Sequence, residues 1–147
     1  MPKPNDAVPY SDFLGLPAPF MDYVGLRTYV GDDGGQRMTL RLERRHLNVA
    51  ESAHGGVILT LLDVAMASAG RRHEGAQGRV CVTVEMKTCF LRPAGAEGEF
   101  IEAHGIVRHV TKSLAFCDGE LRGENGDLLA TASGTFRYVK VARAGDG

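Results

Sequence analysis

Residues 48–72 read N-V-A-E-S-A-H-G-G-V-I-L-T-L-L-D-V-A-M-A-S-A-G-R-R. The part from 57 to 69 has no polar face, so a helix formed there has to be surrounded by protein. Asp63 lies in the middle of this apolar segment. A carboxylate is costly to bury unless it is paired, hydrogen-bonded or used in a reaction. The sequence therefore predicts a central helix that carries one functional candidate.

Length and composition bound the class of protein. The chain has 147 residues, of which 44% are hydrophobic, and a chain of this size buries roughly 70% of its unfolded surface in one globular domain. Acidic and basic residues nearly balance at a formal charge of −1, with no block of one sign. This balance argues against nucleic acid or an anionic membrane as the main partner.

The cysteines and the first residues indicate a soluble protein of the cytoplasm. Cys81, Cys89 and Cys117 are odd in number and lack C-x-x-C spacing, so we interpret them as buried thiols and not as a disulfide framework or a zinc site. The polar, proline-containing start has no apolar run typical of a signal peptide. Asp63 also interrupts the one segment that approaches the roughly 18 to 20 apolar residues of a membrane span.

The segments before the helix predict an N-terminal extension and a β-hairpin. Residues 1–9 are expected to be loosely attached, and residues 10–21 to form one short helical turn and a proline-kinked connector. Apolar and polar residues alternate over 23–30 and again over 36–42, and residues 32–35 read D-D-G-G, which is typical of a turn.

Four strands are predicted after the helix, at 79–91, 97–110, 113–122 and 128–141, and the last two are joined by an Asn-Gly turn. In the clearest of them, at 79–91, alternation predicts an apolar face of Val80, Val82, Val84 and Met86 and a polar face of Cys81, Thr83, Glu85 and Lys87. The order is two strands, one helix and four strands, which gives an α+β architecture with an antiparallel sheet wrapped around the helix.

A single copy of such a chain would leave apolar surface uncovered. A sheet of about six strands around one helix exposes its edge strands and part of the helix. Pairing with a second copy is the natural way to cover both. We therefore expect a homodimer.

Gly55 and Gly56 open the helix, where the first amides have no partner within the helix and the dipole favours negative charge. Such amides can hold the oxyanion formed when a carbonyl is attacked, although a plain turn would also explain the glycines. Asp63 follows Gly56 by seven residues, which is roughly 10.5 Å along the helix axis. If both groups act on one carbonyl, they have to come from different subunits.

Three further residues are candidates near these groups. Thr83 could orient a carboxylate or a water, although strand threonines are often present only for β propensity. Asn48 could bond a substrate carbonyl or position water, or it could be a turn residue before the helix. His54 is expected to fix the loop. No metal site is predicted, because the other histidines lack ligand spacing and are interpreted as surface or strand residues: His46, His73, His104 and His109.

The combined pattern resembles the hotdog-fold acyl-CoA thioesterases of the phenylacetate-degradation (PaaI-like) type. The residues that carry the resemblance are Asn48, His54-Gly55-Gly56, Asp63, the strand at 82–86 and Arg92-Pro93-Ala94. It implies a hotdog domain over 23–141, after an extension at 1–22 and before a disordered tail at 142–147. It also implies a homodimer, usually paired again into a tetramer, that hydrolyses a coenzyme A thioester without a metal or prosthetic group.

The resemblance also implies roles for individual residues. Gly55 supplies the oxyanion-hole amide with Gly56 beside it, Asn48 assists at the carbonyl or the water, and Thr83 orients the water. Asp63 of the partner subunit acts as general base or as nucleophile, and the sequence leaves both routes open. Burial among apolar neighbours is expected to raise the pKa of Asp63 and make it a stronger base.

The substrate-binding residues are less defined. The resemblance places the phosphates of coenzyme A near the turn after residue 110, with Arg108, His109, Lys112 and Ser113 as candidates, although a solvated hairpin turn would contain the same residues. The acyl group is left open. Candidates for its pocket are Phe90, Phe116, Met66 and residues 10–21.

Two other functions fit parts of the pattern. A hotdog enoyl-CoA hydratase or dehydratase would carry a histidine five residues after its helix aspartate, where this chain has Ser68. A non-catalytic acyl-CoA binding module would keep the glycines and the pocket but not need the acid. Asp63 and Thr83 together favour the enzyme.

Overall fold

The central feature is a long helix held inside an antiparallel sheet. The computed structural model describes residues 4–73 and 75–141. Its helices are α1 (Tyr10–Leu14), α2 (Pro19–Val24) and α3 (Gly55–Arg72), and its strands are β1 (Val8–Pro9), β2 (Arg27–Val30), β3 (Gln36–Arg41), β4 (Val80–Phe90), β5 (Phe100–Val110), β6 (Leu114–Gly123) and β7 (Leu128–Val139). The predicted α+β architecture, with one long helix after a hairpin and four strands behind it, is confirmed.

The sheet has seven strands in the spatial order β1-β2-β3-β5-β6-β7-β4, and every pair is antiparallel. Strand β4 follows the helix in sequence but lies at the edge beside β7. The other edge is the two-residue strand β1. The long edge β4 is therefore the open end of the sheet.

Helix α3 is buried because its side chains are apolar on nearly every side. Its fully buried members, Leu61, Leu62 and Met66, pack into the core under the sheet. Strand β5 crosses the helix at Gly105, where a β-carbon would collide with the carbonyl oxygen of Ala65. The backbone of the strand can therefore approach the backbone of the helix directly. In the described parts of the chain, no helix is long and apolar enough to cross a membrane.

The N-terminal segment is more ordered than predicted. Ala7 is buried and the Arg27 guanidinium donates to its carbonyl at 2.7 Å and 3.0 Å, so loose attachment is wrong for residues 7–9. Residues 10–24 form two helices, and α2 begins with Pro19 at a position where a missing amide proton costs nothing. As a result, the first hairpin strand begins at Arg27 and not at residue 23. Residues 1–3 and the predicted tail at 142–147 lie outside the described residues.

The predicted faces of β4 are wrong over residues 81–84 and correct for Met86. Thr83 pairs with the buried Phe136 and faces the helix, whereas Val82 and Val84 are 45% and 59% exposed. A β-bulge between Thr83 and Glu85 then shifts the alternation, so that Met86 packs on the core. The prediction assumed strict alternation with the valines inside, and the extra residue of a bulge breaks that assumption.

Candidate active site

Asp63 and Thr83, which we call the acid pair, are in direct contact. The Thr83 hydroxyl donates to Asp63 Oδ1 at 2.5 Å, which links the middle of α3 to the edge strand β4. Asp63 is half-buried, and this burial raises the pKa of its carboxyl above the ordinary 3.8, while the bond from Thr83 acts in the opposite direction. The pair is thus a partly desolvated carboxylate whose orientation is fixed by one donor.

The other predicted group is the amide end of α3, formed by His54, Gly55 and Gly56. The His54 ring caps the helix, since its Nδ1 accepts the Gly56 amide at 2.9 Å. The Gly55 amide has no hydrogen-bond partner within residues 4–73 and 75–141. The expectation of two open amides is therefore wrong for Gly56, because the histidine ring already accepts that amide proton, and the structure leaves one donor open.

The loop before α3 holds this amide in place. Asn48 Oδ1 accepts the amides of Ala50 and Ser52 at 2.9 Å and 3.2 Å, so the side chain of Asn48 shapes the loop in this structure. His46, predicted at the surface or in a strand, is buried and bonds Val24 and Glu43 through its two ring nitrogens. Sequence periodicity could not predict that His46 is buried. One of its partners, the Val24 carbonyl, is far away in sequence, and the other, the Glu43 amide, belongs to a short 3₁₀ turn.

The acid pair and the amide end are separated within one chain. Asp63 follows Gly55 by eight residues on the same straight helix, which places them about 12 Å apart along the axis. Asp63 and the Gly55 amide of one chain therefore cannot both reach the same substrate carbonyl, because a hydrogen bond is only about 3 Å long. Among the described residues, no three His, Cys, Asp or Glu side chains are grouped as a metal site would require.

Comparison with known proteins gives the family. The profile of the thioesterase superfamily matches residues 50–130, a region that contains Gly55, Asp63 and Thr83. This chain belongs to the thioesterase superfamily. The acyl-coenzyme A thioesterase PaaI of Escherichia coli is 31% identical to it over 103 residues, which are 70% of this chain and 70% of PaaI.

Solved structures agree with this assignment. The E. coli PaaI protein from the phenylacetic acid degradation operon matches with a TM-score of 0.73 and 26% identity over 84% of this chain and 86% of PaaI. A Bacillus halodurans protein solved with CoA shares the fold, with a TM-score of 0.75 at 21% identity over 86% of this chain and 82% of that protein. The predicted PaaI-like hotdog fold is confirmed, and the chain is a thioester hydrolase.

The residues predicted near coenzyme A do not form one group in this thioesterase. Lys112 and Ser113 are exposed in the turn between β5 and β6. Arg108 instead pairs with Asp118 at 2.6 Å beside Lys87, in a cleft on the face of the sheet that points away from the helix. Arg108 is itself the extra residue of a β-bulge between Val107 and His109. The predicted substrate-binding roles of Arg108, Lys112 and Ser113 stay predictions.

The predicted acyl-pocket residues also separate. Phe90 lies against Gly55, since a β-carbon at Gly55 would be 3.6 Å from the Phe90 ring. Met66 is fully buried and faces Gly119 of β6, so it belongs to the core. Phe116 lies on the outer face of the sheet, with its ring centroid 6.1 Å from that of His109. Of these three residues, only Phe90 borders a predicted reactive group.

Position 68, where a hydratase would carry histidine, has a structural role in this thioesterase. Ser68 is buried, and its hydroxyl lies 3.2 Å from the hydroxyl of Tyr10. This bond ties α1 to the second half of α3. Ser68 therefore serves the packing of the helix and supplies no acid or base.

Proposed function

We propose that this thioesterase hydrolyses acyl-CoA thioesters at a site shared by two copies of the chain, with Asp63 of one copy facing Gly55 of the other. The observation that carries the proposal is the arrangement on α3. One half-buried carboxylate and one open amide, the two groups that thioester hydrolysis needs, lie on the same helix but too far apart to act together.

The open edge of the sheet supports the pairing of two copies. Strand β4 has 11 residues, and one side of its backbone is unpaired within the described chain. A long edge with exposed Val82 and Val84 tends to associate unless it is covered. Two-fold pairing at this edge would set the two copies of α3 antiparallel, so that each acid pair meets the amide end of the other copy. The resemblance to PaaI-like enzymes adds a dimer of dimers to this proposal.

The proposed reaction needs an attacking water and a stabilised oxyanion. Asp63 takes a proton from water while the hydroxide oxygen bonds the thioester carbon, and the Gly55 amide of the other copy donates to the oxyanion. The carbon–sulfur bond then breaks, and the proton passes to the coenzyme A thiolate. The products are the free acid and coenzyme A, and the reaction uses no metal or further cofactor.

The remaining site residues have supporting roles in this proposal. Thr83 holds the carboxylate that activates the water, and Asn48 assists at the carbonyl end through the loop that it shapes. His54 and Gly56 complete the cap that leaves the Gly55 amide open. In the nucleophilic route, Asp63 attacks the carbonyl and expels the thiolate to form a mixed anhydride, and water that attacks the aspartyl carbonyl of this anhydride leaves its oxygen on Asp63. Solvent label on Asp63 after single-turnover hydrolysis in ¹⁸O water would therefore show the nucleophilic route.

We place the enzyme in the cytoplasm. The three cysteines are free thiols in the structure, which suits a reducing compartment. Free-thiol release from a panel of aryl, medium-chain and branched acyl-CoAs tests the activity and the acyl preference together. The absence of turnover with every member of the panel would contradict the proposal.

We expect the coenzyme A phosphates to lie at the turn of Lys112 and Ser113. Lys112→Ala should raise KM roughly two- to fivefold with kcat unchanged, because one exposed charge contributes little. Lys87→Ala is the matched control, since Lys87 lies on the outer face of the sheet. Equal KM values for the two variants would show that Lys112 is a solvated turn residue.

A further inference from the structure

A cavity of about 960 Å³ lies one helical turn beyond the acid pair. Ala67, in its wall, follows Asp63 by four residues and therefore lies about 6 Å further along the same face of α3. Cys81, also in its wall, precedes Thr83 by two residues and lies on the same face of β4. The N-terminal segment closes the far side with Leu14 and Leu16. An acyl group attached to a carbonyl at Asp63 can extend into this space.

The walls of the cavity are mainly apolar. The Tyr10 hydroxyl is engaged with Ser68, and burial raises the pKa of the Cys81 thiol to about 11, so that thiol stays neutral. Of the described residues that line the cavity, Arg71 alone carries a charge at neutral pH. The cavity therefore combines an apolar body with one cation.

This cation lacks a partner in the described chain. Arg71 Nε is buried without a hydrogen bond, and the guanidinium forms no ion pair within residues 4–73 and 75–141. Five other arginines pair with carboxylates, namely Arg37, Arg45, Arg92, Arg108 and Arg122. A buried polar group without a partner is rare and costly, and a group supplied by a ligand would explain it.

We propose that this cavity holds the distal part of the acyl group and that Arg71 binds a carboxylate at its end, so that the preferred substrates are CoA thioesters of dicarboxylic acids. The inference rests on the proposed thioesterase function. Arg71 follows Asp63 by eight residues, about 12 Å along the axis, which leaves room for an apolar stem between the two ends. A guanidinium binds a carboxylate through two parallel hydrogen bonds, and the apolar walls suit the methylene chain.

The test compares two thioesters of equal chain length on the full chain. We expect kcat/KM to be higher for octanedioyl-CoA than for octanoyl-CoA, and Arg71→Met should lower that ratio roughly 10- to 100-fold. Arg72→Met is the matched control, because Arg72 shares the last turn of α3 but does not line the cavity. A ratio that is the same in wild type and Arg71→Met would overturn the inference.

A binding measurement separates this inference from the proposed function. Free octanedioate should raise the Tm of the wild type and of Arg72→Met but not that of Arg71→Met, whereas octanoate should not distinguish the three proteins. If neither of these thioesters is hydrolysed but another acyl-CoA is, the inference fails and the proposed function stands. If no acyl-CoA is hydrolysed, the proposed function fails, and the octanedioate shift still decides the role of Arg71. Equal shifts in wild type and Arg71→Met would show that the carboxylate does not bind there.

Discussion

The amide end of α3 and the acid pair are built by opposite means. At the amide end, a backbone group is left open because the loop side chains Asn48 and His54 satisfy the amides around it. In the acid pair, two side chains bond each other at the open edge of the sheet. At the amide end, activity should therefore depend on the backbone amide of Gly55, whereas in the acid pair it should depend on the side chains themselves.

The largest expected effect is the loss of the acid. Asp63→Asn should lower kcat by roughly 100- to 10,000-fold, because the amide cannot accept the proton of water. Since burial raises the pKa of Asp63, the charged form costs stability at neutral pH, and the neutral amide should not lower Tm. Turnover assays and thermal unfolding at pH 7 check both points. Undiminished kcat would remove Asp63 from the mechanism.

Removing the open amide comes next. Gly55→Pro should lower kcat roughly 100- to 1000-fold, because proline has no amide proton to donate to the oxyanion. Gly55 is the first residue of α3, where proline is tolerated, and His54 before it has the extended backbone that proline requires, with φ −60° and ψ 140°. Gly55→Ala keeps the amide and meets the Phe90 ring at an ordinary 3.6 Å, so it is the matched control.

The same two variants test whether the site is shared. A mixed dimer of Asp63→Asn and Gly55→Pro contains one site with both groups intact. After random re-association of equal amounts, we expect about one quarter of wild-type activity. A site contained in one protomer would give no recovery, and this outcome would refute the pairing of copies while leaving each residue's role in place.

A smaller effect concerns the pH dependence. Thr83→Val removes the donor that lowers the pKa of Asp63, so this pKa should rise further. Because the base has to be deprotonated, the acidic limb of kcat/KM should move to higher pH, and activity should be lost at a pH where the wild type is still active. Thr83→Ser retains the hydroxyl and should keep the wild-type profile. Coincident profiles for Val and Ser would show that the bond does not tune the acid.

The smallest effect is expected at the cap. His54→Ala should lower the free energy of unfolding by about 1 kcal/mol and Tm by about 4 °C, because the Gly56 amide loses its acceptor. His54→Asn should recover most of the loss, since asparagine is a good cap. Denaturation of the three proteins checks the order. A stable His54→Ala variant would mean that the helix does not need this cap.

The sequence predicted best where one signal dominated. The run from residue 57 to 69 is apolar on every side, and Asn125-Gly126 lies between two apolar runs, so the helix and the last hairpin could be predicted locally. The bulge in β4 could not be predicted, because the extra residue changes which side chains face the helix without leaving a mark in the amino-acid composition of the strand. The acid pair could be predicted from the sequence, because a carboxylate inside an apolar helix needs a partner.

Roles that depend on tertiary packing carried no local signal. The Gly56 amide is bonded because the His54 ring turns back over the first turn, and the sequence H-G-G does not specify that rotamer. Arg71 reads as an ordinary basic residue at a helix end, where the dipole favours it. Its place at a cavity follows from α1 and β4, which supply other walls of the same cavity and lie far away in sequence.

The contact at Gly105 has a further consequence. Since the main chain of β5 rests on the main chain of α3 at Ala65, the depth of the helix in the sheet is set by atoms that no rotamer can move. Ala65 lies two residues after Asp63, so a methyl group added at position 105 would lift the carboxylate away from Thr83 without touching either residue. The missing side chain at Gly105 of β5 thus sets the position of the Asp63 carboxylate relative to Thr83.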